Sequence, residues 1–388
     1  MLIDNTTYGS SIYIQSLPSL FISLVGLALA GNCLDKALKT SSIQYYPILL
    51  ISNCILNFKG NAELIYALHI SSLSNSTSCS LKKYIRYSFD NSCLLLSQSI
   101  IIGLTVGLIG IAKNIFSYPL VFKNLIRILP ICLVSCTLST AFIVVLLIVA
   151  IGITKKCNIN PDNVVLPTIS SFGEYLAVYS LTFFTSRFNN LDLVSCYVII
   201  LIMIVILPLP IYLSIISTYR IPLQSFEILL TTYILSSISG IAVQFFSKKH
   251  NVLASTIPVF CGLTCSISYI YLSKTVTSLQ YERPHNRKQS FVSLIVISLV
   301  SSIFYVTLSY FVLIRYSTAF MVLFVVFFVV DVCLLLRMVE CAASRLNQRE
   351  LGVFTLPLLT SSSDFLGSIL LIFIVEIIYV FETTYKSI

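Results

Sequence analysis

Charge is scarce in this sequence. Of 388 residues only 10% are Asp, Glu, Lys or Arg, against about 25% in an ordinary soluble protein. No polar stretch is long enough to fold as a soluble domain of its own. Histidine is nearly missing, with three in all. No cysteine pair has a histidine at metal-site spacing, which leaves little for a zinc centre. A nucleophile, a base and an orienting group never fall at usable spacing, and no phosphate-binding glycine loop occurs, so an enzyme is not expected. The N-terminal residues lack the basic segment and small-residue cleavage pattern of a secretory signal. The first apolar run, from Leu17, is therefore expected to stay as a helix.

What the chain does have is apolar length, since 57% of it is hydrophobic. Runs such as FVVFFVVDVCLLL around Asp331 recur from end to end, and several reach the roughly 20 residues that cross a bilayer as a helix. The expected fold is all-α and polytopic, with about eleven transmembrane helices. The spans are expected near 17–34, 43–58, 89–112, 128–152, 163–184, 193–219, 226–246, 252–272, 290–314, 317–336 and 354–381. The second and eighth are short and broken by polar groups. The twelve cysteines sit mostly inside apolar runs and are read as core filler. The net charge of +9 lies in short clusters such as Lys82, Lys83 and Arg86. These suit anionic lipid and orientation in the bilayer rather than nucleic acid. A slight basic bias places the N-terminus in the cytoplasm, which would leave the glycosylation patterns at Asn5 and Asn75 unused.

An internal repeat organises the spans. Pro167 precedes Glu174 by seven residues in LPTISSFGEYL, and Pro357 precedes Asp364 by seven in LPLLTSSSDFL. Each stretch reads Leu-Pro, hydroxyls, one carboxylate, then an apolar run. Upstream, the segment around Gly31 matches the one around Gly240, each ahead of a polar-broken span. Residues 1–184 and 226–388 are therefore expected to form two five-helix repeats. Residues 185–225 join them through one uncharged linker helix. That extra crossing returns the chain to its starting side, so the repeats run parallel about an axis along the membrane normal.

A carboxylate at membrane depth costs about 2.5–3.5 kcal/mol and usually faces a wet interior. Glu174 and Asp364, at equivalent places, would face one another and repel unless a cation lies between them. The nearest fixed cation, Lys59, belongs to the short second span, so a mobile ion is the expected occupant. Ser170, Ser171, Thr360 and Ser363 add oxygen donors, the chemistry Mg2+ prefers. Pro167 and Pro357 interrupt helical hydrogen bonding and would expose carbonyls to a path. Asp162 and Asn163 either cap the fifth helix or line its cytoplasmic mouth. Asn61 and Glu63 are either a polar helix exit or part of the path. Asp331 and Asp35 have no repeat partner of their own kind and are read as structural.

At these residues the chain resembles solute carrier family 41, whose units resemble the membrane domain of MgtE magnesium channels. INPDNVVLPTISSFGEYLAV (159–178) carries the strongest likeness, with FTLPLLTSSSDFLGSILL (354–371) and FKGNAEL (58–64) beside it. The resemblance implies a magnesium or other divalent cation transporter with its path between the repeats, and both halves present in one chain able to act alone. It implies Glu174 and Asp364 at the central ion, Asn61 near the narrowest point, and no cofactor, Mg2+ being cargo. The second half departs from the family: Thr264, Cys265 and Ser266 stand where a GGN-like segment is expected. Mn2+, Co2+ or Ca2+ in place of Mg2+, and a diverged non-transporting scaffold, stay open as alternatives. The absence of an arginine-rich amphipathic presequence favours the plasma membrane over mitochondria.

Overall fold

The computed structural model describes residues 5–40, 46–75, 81–117, 122–156, 161–216, 224–247, 249–250, 252–280, 286–310, 317–346 and 348–386. Twelve α-helices and no strand occur among the described residues. The first half holds α1 (Asn5–Lys39), α2 (Ile48–Asn75), α3 (Leu81–Ser117), α4 (Phe122–Lys156) and α5 (Pro161–Phe188). Two shorter helices follow, α6 (Leu193–Ile206) and α7 (Pro208–Ile216). The second half holds α8 (Gln224–Ser247), α9 (Val252–Gln280), α10 (Arg287–Leu308), α11 (Thr318–Arg345) and α12 (Gln348–Lys386).

Nine spans among the described residues are long and apolar enough to cross a membrane, with α6 and α7 counted as one. Adding α2, of 28 residues, and α8, of 24, gives eleven units of membrane length. The protein is an all-α polytopic membrane protein. Its many hydroxyls do not break the helices because they donate back to their own backbone. Ser139 donates to the Ser135 carbonyl at 2.5 Å and Ser268 to that of Thr264 at 2.9 Å. In apolar surroundings such local satisfaction is what keeps a polar side chain affordable.

Two expectations from sequence need correction. The second span does not end at residue 58, because α2 continues to Asn75 and places Lys59, Asn61 and Glu63 in mid-helix, all buried. The eighth is not short either: α9 runs unbroken through Pro258 for 29 residues. The whole apolar window of α9 is buried, whereas only 6% of the linker window is. A helix surrounded by protein needs no apolar surface, so polar residues that looked like breaks are the mark of an interior element. The linker is interrupted at Leu207, just before Pro208, which brings no N–H to the helical ladder. It lies outside the bundle, α6 against α4 and α7 against α3. The end of the ninth span, past residue 310, lies outside the described residues.

The first helix of each half packs within its half and also crosses to the other. α1 lies on α5 and α9, and α8 lies on α12 and α2. The two glycines singled out in the sequence sit at these crossings. A Cβ on Gly31 would lie 2.2 Å from the Ser255 carbonyl oxygen of α9, and one on Gly240 would lie 3.3 Å from Asn53 Cβ of α2. Aromatic edges secure α9 from its other side. Phe260 meets Phe324 and Phe328 of α11 at centroid distances of 5.2 and 5.4 Å.

Candidate functional site

Four helices, α2, α5, α9 and α12, enclose a cavity of about 50 Å³. That is room for roughly three or four waters. Glu174 of α5 and Asp364 of α12 both line it. So do Ser170 and Thr360, together with Asn53, Asn57, Lys59 and Glu63 of α2 and Cys261, Gly262, Cys265 and Tyr269 of α9.

The two carboxylates are held differently. Asp364 accepts a hydrogen bond from the Asn57 side-chain amide. Its own carbonyl accepts one from the Ser239 hydroxyl at 3.0 Å, tying α12 to α8. Glu174 makes no hydrogen bond or ion pair among the described residues. Space for it comes from Gly262, where a Cβ would lie 3.0 Å from Glu174 Oε2. Asn61 is not in the wall itself. It sits one layer back, where its Oδ1 accepts from the Thr360 hydroxyl and its Nδ2 has no partner.

Other residues singled out in the sequence are used elsewhere. Ser171 is buried, donates to the Thr168 carbonyl at 2.9 Å, and packs against Gly26 of α1. Ser363 donates to the Cys261 carbonyl at 2.8 Å and pairs with the Thr264 hydroxyl at 2.9 Å, which clamps α12 onto α9. Asp162 and Asn163 stand in the first turn of α5, after Pro161, and not at the capping position before it. Their side chains lie outside the described residues. α5 and α12 stay helical through Pro167 and Pro357. The Pro167 carbonyl accepts from Ser23 of α1 at 2.8 Å, and the Pro357 carbonyl from Thr360 at 2.7 Å and Ser361 at 3.0 Å.

Sequence reasoning passed over Asn53 and Asn57 of the α2 wall. Lys59 is paired with Glu63 of its own helix: its Nζ lies 2.7 Å from Glu63 Oε1, with side chains 2% and 6% exposed. Two of the cysteines read as core filler, Cys261 and Cys265, contribute to the cavity. The signal was present in α2, where Asn53, Asn57 and Asn61 recur every four residues and so share one face. Asp331 is fully buried on α11 with neither carboxylate oxygen hydrogen-bonded. Asp35 forms an i,i+4 ion pair with Lys39 at 2.6 Å, away from the cavity.

Comparison with known proteins agrees with this architecture. The family model for MgtE, described as a divalent cation transporter, matches residues 52–185, which run from α2 into α5. Residues 52–185 are thus similar to that family. Solute carrier family 41 member 2 of Xenopus laevis is 26% identical over 249 residues, 60% of this chain and 43% of the relative. The Homo sapiens protein of that name is 26% identical over 246 residues, 60% of this chain and 42% of its own length. That of Gallus gallus is 24% identical over 293 residues, 70% and 49% respectively. The chain thus spans less than half the length of these relatives. No solved structure matches it.

Proposed function

We propose that this chain carries divalent cations, Mg2+ foremost, across a membrane along a path between two five-helix repeats. Glu174 and Asp364 would hold the partly hydrated ion, and Asn61 would steady Thr360 behind it. The observation that carries this is the meeting of Glu174 and Asp364, at matching places in the sequence repeat, in one small cavity. No cluster of three or more His, Cys, Asp or Glu fit to hold a metal occurs among the described residues. Mg2+ needs no such cage, because it keeps several waters and uses one or two carboxylates. The cavity has space for that. Crossings of α1 on α9 and of α8 on α2, each at a glycine, support the division into two repeats. The description of the MgtE model supports a divalent cation as cargo, and the solute-carrier name of the relatives supports transport. An inside-negative potential would drive a divalent ion inward by about 4.6 kcal/mol per 100 mV.

Cys265 in the wall favours a second cargo, because sulfur suits a softer ion such as Co2+ better than it suits Mg2+. The test is ion uptake into cells lacking their own magnesium transporters, with surface expression controlled. Asp364→Asn and Glu174→Gln should each lower Mg2+ uptake about tenfold or more. Wild-type protein that moves none of Mg2+, Mn2+, Co2+ or Ca2+ would instead favour a non-transporting scaffold.

A further inference from the structure

The ion pair on α2 is the one strongly charged group in the cavity wall that the proposed transport leaves unused. Lys59 and Glu63 are both buried, and both line the cavity together with Glu174 and Asp364. A buried ion pair of this kind adds little to stability, since desolvation offsets its attraction. Nor does helix preference explain it, because the favourable order places the acid before the lysine, and here the lysine comes first. The pair is also built into the wall. Gly173, the residue before Glu174, has no side chain, and a Cβ there would lie 3.2 Å from Glu63 Oε2. Glu63 therefore reaches the helix that carries Glu174.

The second half has no such pair. In the repeat register Thr264 and Ser268 of α9 stand where Lys59 and Glu63 stand on α2, and they are joined by a hydroxyl-to-carbonyl hydrogen bond of 2.9 Å. Around the cavity three carboxylates, Glu63, Glu174 and Asp364, thus face one ammonium. With all four groups charged, two negative charges remain.

We propose, building on the transport function above, that Lys59 and Glu63 set the charge of the cavity at the value one divalent cation neutralises, and so set how tightly that ion is held. Lys59 tunes the affinity of the site without ligating the ion. Removing it alone leaves one negative charge too many and should trap the ion. Removing Glu63 alone leaves one too few and should weaken binding.

The test compares Glu63→Gln, Lys59→Met and the double variant Lys59→Met/Glu63→Gln. KM and kcat of Mg2+ uptake are measured, and thermal protection of the purified proteins is titrated with Mg2+. Glu63→Gln should raise KM about tenfold, and the double variant, with the original charge, should bring it back near wild type. Lys59→Met should lower KM about tenfold while kcat falls, because an ion held more tightly leaves more slowly. The midpoints of thermal protection should move in the same directions. A merely structural ion pair would not tighten Mg2+ binding when broken. Equal KM values for Glu63→Gln and the double variant would overturn the proposal, even if Lys59→Met alone fails to fold. Wild-type protein showing neither uptake nor protection would overturn transport itself, and this proposal with it.

Discussion

Adding one methyl group at Gly31 tests the architecture at its tightest point. The Cβ of an alanine there would lie 2.2 Å from the Ser255 carbonyl oxygen, 3.0 Å from its carbon and 3.2 Å from its Cα. All three are backbone atoms of a buried helix, so no rotamer change relieves the overlap. α1 must move off α9, or the local helix must bend. Overpacking of this kind costs about 1–3 kcal/mol, and replacing a helical glycine by alanine returns up to about 1 kcal/mol in propensity. The net expectation for Gly31→Ala is a loss of roughly 1–2 kcal/mol. Gly60→Ala is the control, because nothing lies within 4 Å of its Cβ and only the propensity gain remains. Stability is measured by heating detergent-solubilised protein with a thiol-reactive dye, which reports buried cysteines such as Cys132, Cys136 and Cys261 as they become exposed. Gly31→Ala should melt below wild type and Gly60→Ala at or above it. Equal melting of the two variants would refute the close crossing of α1 on α9.

Further outcomes follow from single contacts. Gly262→Ala puts a Cβ 2.4 Å from a Leu27 methyl and 3.0 Å from Glu174 Oε2. Leu27 can yield, so divalent uptake should fall more than melting temperature does. Asp331→Asn replaces a buried carboxylate that accepts no hydrogen bond with a neutral group of the same shape. The melting temperature should hold or rise, since an unpaired buried charge is the costlier state. Glu376→Gln weakens the contacts to Lys249 and His250 at 2.9 Å, but Lys249 is 46% exposed and Glu376 29%. Its melting temperature should stay close to wild type in the same assay, because an exposed ion pair contributes little.

Membrane class and the number of membrane-length units are legible in the sequence alone, and the reasons are local. Hydrophobic length requires spanning helices whatever surrounds them, and two proline–carboxylate segments of like spacing give the expectation of a repeat without any coordinates. What tertiary structure decided is which polar residues meet. Lys59 and Glu63 read as the end of a short span because chain polarity cannot distinguish a helix leaving the membrane from one buried inside the bundle. Only the packing of α1, α5, α8, α9 and α12 shows that α2 and α9 are interior. Ser171 and Ser363 match the site pattern in sequence, yet face α1 and α9. A helix turns about 100° per residue, so neighbours in a hydroxyl-rich segment point in different directions. The α2 wall, with its ammonium beside three carboxylates, exists because residues far apart in the chain converge on one cavity. Sequence spacing carries no information about that convergence.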